Sequence, residues 1–89
     1  MQADRAKVTR LLRTAQGQIA GVLKMVDEDR YCIDISNQIL AAAAMLEKAN
    51  REVLHAHMRC CIAEAVQSGN ADAKIDELLA VFDKAARGG

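Results

Sequence analysis

Apolar residues recur at intervals of three and four along almost the whole chain. Between Asp4 and Val26 they fall at Val8, Leu11, Leu12, Ala15, Ile19, Val22, Leu23 and Val26. That spacing gathers them on one side of a 3.6-residue turn and predicts an amphipathic first helix. Asp27-Glu28-Asp29-Arg30 reads as a turn. The pattern resumes at Cys32 and runs to about Gln67, through Ile35, Ile39, Ala42, Met45, Leu46, Ala49, Val53, Leu54, Met58, Ile62, Ala65 and Val66. No breaker interrupts it. About 36 residues rising 1.5 Å each make a rod of roughly 50 Å. Ser68-Gly69-Asn70 carries the stop signals for that rod. A third helix is expected from Ala71 to about Ala86, with Ile75, Leu78, Leu79 and Phe82 on one face, and Arg87-Gly88-Gly89 should fray. The predicted fold class is all-α: three helices, one of them very long, in a single domain over residues 1–89.

Composition sharpens this picture in two ways. Hydrophobic residues make up 52% of the chain, yet Tyr31 and Phe82 are its only aromatics, so any core must be aliphatic. There is no proline, which suits long unbroken helices. Gly17 and Gly21 lie inside the first helix, where each glycine costs about 1 kcal/mol relative to alanine. Their expected use is close approach of a neighbouring helix. A rod of this length cannot be covered by two shorter neighbours in one chain, so a second protomer is the expected cover.

Charge is neutral in sum but uneven in place. Over residues 1–26, Arg5, Lys7, Arg10, Arg13 and Lys24 stand against Asp4, five cations to one acid, a net +4. Acids gather at Asp27-Glu28-Asp29 and again at Asp72, Asp76, Glu77 and Asp83. A basic first helix suits phosphate contacts, although a solvated helix face has the same composition. No apolar run approaches the roughly 18–20 residues that span a bilayer. The opening Met-Gln-Ala-Asp-Arg lacks the apolar stretch of a signal peptide, so a cytoplasmic location and no membrane partner are expected.

In a reducing cytosol three cysteines point to metal or redox chemistry rather than a disulfide framework. Cys32 opens the long helix. His57 and Cys61 lie four apart, one turn, and project from one face. Two thiols and an imidazole form a soft donor set, which suits three-coordinate Cu(I) better than a closed tetrahedral zinc site. Yet 25 helical residues separate Cys32 from His57 by about 38 Å. The three can meet only if two long helices pack antiparallel, one chain giving Cys32 and the other His57 with Cys61. Symmetry then makes two sites per dimer. Cys60 is also about a turn from His57 and is a possible redox partner or substitute for Cys61. His55 lies about 200° around the helix from His57 and reads as a surface residue. No catalytic arrangement emerges: a Cys–His pair within one helix has no oxyanion hole, and neither a phosphate loop nor an HExxH motif occurs.

These residues bring a family into view. Gly17-Gln18-Ile19 with Gly21, Asp29-Arg30-Tyr31-Cys32-Ile33-Asp34, Gln38-Ile39, and Leu54-His-Ala-His57 with Cys61 resemble the copper-sensing operon repressors (the CsoR family) over nearly the whole chain. The resemblance implies a Cu(I) set of Cys32, His57 and Cys61, with Tyr31 and Glu77 in an outer shell. It implies a tetramer, a dimer of antiparallel dimers, that binds operator DNA when metal-free and is released by Cu(I). Many relatives carry an arginine for DNA at the position of Leu11. Here Arg10 and Arg13 flank it, and the resemblance transfers the role to Arg13, with Arg10 as a displaced candidate. Nickel/cobalt and formaldehyde branches of the family use an N-terminal His or Pro, and neither stands near Met1. Two other readings compete. One is a thiol- or persulfide-responsive repressor using Cys32 and Cys61 (or Cys60). The other, suggested by Leu11 and the neutral charge, is a metal-binding helical protein that does not bind DNA.

Overall fold

The helix boundaries follow from short-range chemistry at each end. A computed structural model describes residues 1–87 and contains α1 (Arg5–Asp27), α2 (Cys32–Ser68) and α3 (Ala71–Arg87). Asp4 caps α1: its Oδ1 accepts from the backbone N–H of Ala6 at 3.0 Å and of Lys7 at 3.3 Å. These are two of the four donors that every helix start leaves unpaired. At the other end Asp29 takes a left-handed conformation, φ 52°, and the Arg30 N–H donates to the Met25 carbonyl at 3.0 Å. Asp is one of the few side chains that tolerates this geometry. Gly69, φ 72°, ends α2, with its N–H donating to the Ala65 carbonyl at 2.9 Å. Each helix runs one residue past its expected end. Of the expected frayed tail, Arg87 closes α3, and Gly88 and Gly89 lie outside the described residues.

The 37 residues of α2 set the molecule's long dimension. They correspond to about 55 Å of helix, and the chain measures 57 × 28 × 13 Å. α1 packs back along α2, with Lys7 near its start reaching Glu52, and α3 packs on the part of α2 that holds His57. Among the described residues the buried set is Val8, Leu11, Ala15, Ala42, Ala49, Cys61 and Ala65. Four of the seven are alanines, because two helices in a hairpin approach closely only where side chains are small.

Most of the large apolar residues are elsewhere. Leu12, Ile19, Leu23, Ile39, Leu46, Ile62, Ile75, Leu79 and Phe82 all stay exposed. The expected apolar face of α3 is therefore rotated: Lys74, Leu78 and Val81 are half-buried, whereas Ile75, Leu79 and Phe82 face solvent. The accessible surface is 6740 Å², against about 5,100 Å² for a compact monomer of this mass. The radius of gyration is 17.4 Å, against about 12 Å for a compact chain of this length. One protomer leaves much of its apolar surface in water.

Gly17 and Gly21 do not serve the contact expected of them within the protomer. Among the described residues, no atom lies within 4 Å of a Cβ built at either position. The seam toward α2 runs through Val8, Leu11 and Ala15, and both glycines are exposed beside it.

Candidate metal centre

The C-terminal part of α2 brings His57 and Cys61 together simply by being a helix. Cys61 Sγ and His57 Nε2 are 3.2 Å apart. α3 then folds back and adds a third donor, with Glu77 Oε1 3.4 Å from the same Nε2. The ligating atoms of His57, Cys61 and Glu77 all lie within 4.8 Å of one another. Cys61 is buried and His57 half-buried, while Glu77 is exposed. A buried thiol beside a half-buried imidazole, with an acid at the mouth, can accept a thiophilic cation once the thiol loses its proton. The single Nε2 facing both sulfur and carboxylate can donate to only one of them at a time. Lys74 Nζ stands 3.7 Å from Glu77 Oε2 and balances that carboxylate's charge.

The resemblance assigned Glu77 to an outer shell, and the structure sets its carboxylate directly against the imidazole. Spacing alone could not have found this contact, because 20 residues and a turn separate the two positions. Only the amphipathic pattern of α3 hinted that its first turns return to α2.

Cys32 is not part of this cluster. It sits exposed at the first turn of α2, about 38 Å along the same unbroken helix from His57. Tyr31 precedes it as the N-terminal flanking residue, makes no side-chain capping bond and is 68% exposed. Cys60 is half-buried and points away from the cluster toward Glu64, Sγ to Oε1 3.8 Å. Partial burial first, and the Glu64 carboxylate second, push the Cys60 thiol above its ordinary range. It is therefore a poor thiolate at neutral pH. His55 is exposed, as its helical angle required.

On the basic side, Arg10 and Arg13 are both exposed, and Leu11 between them is buried in the α1–α2 seam. Leu11 is thus a packing residue here. The antiparallel pairing sets this basic stretch beside the middle of α2, where Lys7 Nζ meets Glu52 Oε1 at 3.0 Å. Sequence reading did not single out Glu52, since nothing local marks it. Among the described residues no helix is long and apolar enough to cross a membrane.

Comparison with known proteins agrees with this architecture. The family model described as metal-sensitive transcriptional repressor matches residues 4–84. The copper-sensing transcriptional repressor CsoR of Mycobacterium ulcerans is 43% identical over 75 residues, 84% of this chain and 63% of that protein, so the chain spans under two-thirds of that relative's length. Among solved structures, the nickel-responsive transcriptional regulator InrS superposes with a TM-score of 0.85 at 32% identity, covering 94% of each chain. The copper-sensing repressor CsoR with Cu(I) from Geobacillus thermodenitrificans gives a TM-score of 0.82 at 36% identity, covering 91% of this chain and 84% of that one. The three-helix architecture, the convergent Cys–His pair on α2 and the match over residues 4–84 lead to one assignment: the chain belongs to the family of metal-sensitive transcriptional repressors.

Proposed function

We propose that this protein is a copper(I)-responsive transcriptional repressor, bound to operator DNA when metal-free and released when Cu(I) binds. The observation that carries the reading is the half-site on α2: a buried thiol 3.2 Å from an imidazole, with Cys32 at the far end of the same helix and Cys60 directed to Glu64. Cu(I) is soft and accepts two thiolates and one imidazole. The missing thiolate is Cys32 of a second protomer, placed there by antiparallel pairing of two α2 rods. The uncovered apolar surface along α1 and α2 is the surface such a partner would bury. Tyr31 then arrives at the site beside Cys32, and Glu77 holds the far side of His57. This ordering of Glu77 links the metal to the position of α3.

Metal and DNA are coupled through assembly in this scheme. Cu(I) ties the start of one α2 to the end of the other and so favours one arrangement of the dimer. The exposed Arg10 and Arg13 ride on α1, and their spacing across the homodimer or homotetramer changes with that arrangement. Coupling of this kind is reciprocal, so operator DNA weakens Cu(I) binding by the same factor.

The test is an anaerobic Cu(I) titration read by operator affinity, with the promoter of the chain's own gene as probe. The expected result is one Cu(I) per protomer and an operator affinity that falls as the sites fill. Operator affinity that is unchanged by stoichiometric copper sinks the reading. The InrS likeness makes nickel the specific competitor. Ni(II) favours square-planar sites richer in nitrogen, and His55 faces away from the cluster, so Ni(II) is expected not to release DNA. The thiol-responsive alternative needs Cys32 and Cys61, or Cys60, to react with polysulfide and keep regulation in His57→Ala. The raised Cys60 thiol counts against that role for Cys60.

A further inference from the structure

The basic side of the molecule holds one acid in a place that local sequence does not explain. Glu52 accepts from Lys7, Nζ to Oε1 3.0 Å, across the α1–α2 seam. Both side chains remain open to water, at 43% and 36% exposure. His55 and Arg59 follow Glu52 at three and seven residues, so all three project from one side of α2. Both are exposed. The hydrogen bond from Lys7 above all holds the Glu52 carboxyl below its usual range; partial burial opposes it, and the charges of Lys7, His55 and Arg59 add smaller lowering effects. Lys7 from α1 thus meets the carboxylate directly, and His55 and Arg59 from α2 stand exposed on the same side of that helix. That is the donor arrangement a phosphate group requires, with a carboxylate standing where the anion would sit.

We propose that Lys7, His55 and Arg59 form a phosphate-contact cluster for duplex DNA and that Glu52 is its built-in competitor, lowering DNA affinity by occupying Lys7. This rests on the repressor reading above. A phosphate that displaces Glu52 from Lys7 must leave that carboxylate unpaired close to the DNA backbone. Binding is therefore weaker and less salt-dependent than the count of basic residues implies. The pair also joins α1 to α2 five residues before His57, so it lies between the metal half-site and the basic face.

The experiment compares wild type, Glu52→Gln and the double variant Lys7→Gln/Glu52→Gln on a fluorescently labelled random-sequence duplex over a range of salt. Counterion release is independent of sequence, so no operator is needed. Glu52→Gln frees one cation and is expected to tighten binding roughly five- to tenfold at about 0.1 M salt. The plot of log affinity against log salt should steepen by about 0.9. The double variant should lose that gain. If Glu52 is only a helix-to-helix clamp, Glu52→Gln lowers Tm and leaves affinity and salt slope unchanged or reduced, which overturns the proposal. Retention of the gain in the double variant also overturns it, since Lys7 would not be the freed group. Helical circular dichroism confirms that each variant is folded. A wild type that fails to prefer its own promoter over the random duplex sinks the repressor reading, and the Glu52 comparison is decided independently on the random duplex.

Discussion

The two ends of α2 carry the same chemistry in opposite states of readiness. At the C-terminal part His57, Cys61 and Glu77 already converge within 4.8 Å, with the thiol buried. At the N-terminus Cys32 and Tyr31 stand exposed, outside that cluster. A single helix builds the first group because residues four apart share a face. It also forbids the second group from joining the first, because the rod between them does not bend. Half of the proposed site is local structure, and under the copper-sensor reading the other half comes from assembly.

The sharpest way to break that comparison is complementation. Cys32→Ala and His57→Ala homo-oligomers are each expected to lose high-affinity Cu(I) binding altogether, beyond the roughly 10- to 100-fold typical of outer-shell changes. A mixed dimer of the two variants should regain one site of the two, because one of its pairings keeps Cys32, His57 and Cys61 intact. No recovery on mixing, measured by Cu(I) competition with a chelator, rejects the intersubunit site.

Glu77→Gln tests the ready end more gently. It keeps the shape but removes the charge beside His57, and a loss of about 10- to 100-fold in Cu(I) affinity is expected. An unchanged affinity places Glu77 outside the site. The helical seam supplies the next test. Ala15 is 1% exposed, and Ala15→Leu overpacks it at a cost of about 1–3 kcal/mol. Chemical denaturation should show this as a lower midpoint. The same change at exposed Ala20, on the far side of α1, should leave the midpoint nearly where it was.

The smallest expected effect is a pH signature at Lys7–Glu52. The folded carboxyl titrates below its ordinary range, so the pair adds stability that is present at neutral pH. That contribution is lost as pH falls through the carboxylate range. The Tm difference between wild type and Lys7→Gln should therefore be small at neutral pH and close on acidification. A difference that persists in acid removes the ion pair as its cause.

Much of this protein was legible before any coordinates. The three-and-four spacing, the acidic turn and Gly69 each act within a few residues, so the helices end within one residue of their expected limits. The His57–Cys61 pair was legible for the same reason. Three features were not. The apolar stripes are broader than one neighbouring helix can cover, so periodicity could not say which residues line the protomer's own seam. The structure gives the seam to Val8, Leu11 and alanines, and leaves Leu12, Ile19 and Leu46 outside. Gly17 and Gly21 looked like contact points for a neighbouring helix, and within the protomer no helix meets them. Lys7 and Glu52 are 45 residues apart, and only the antiparallel hairpin joins them.

The sequence by itself determined the three helices, their limits and the two parts of a soft donor set, because hydrogen bonding and side-chain period act locally. Tertiary structure decided what those helices bring together. The fold of α3 set Glu77 against His57, the α1–α2 hairpin set Glu52 against Lys7, and the stiffness of α2 held Cys32 away from His57 and Cys61. These outcomes depend on how rods pack in space, and no short window of residues contains that information.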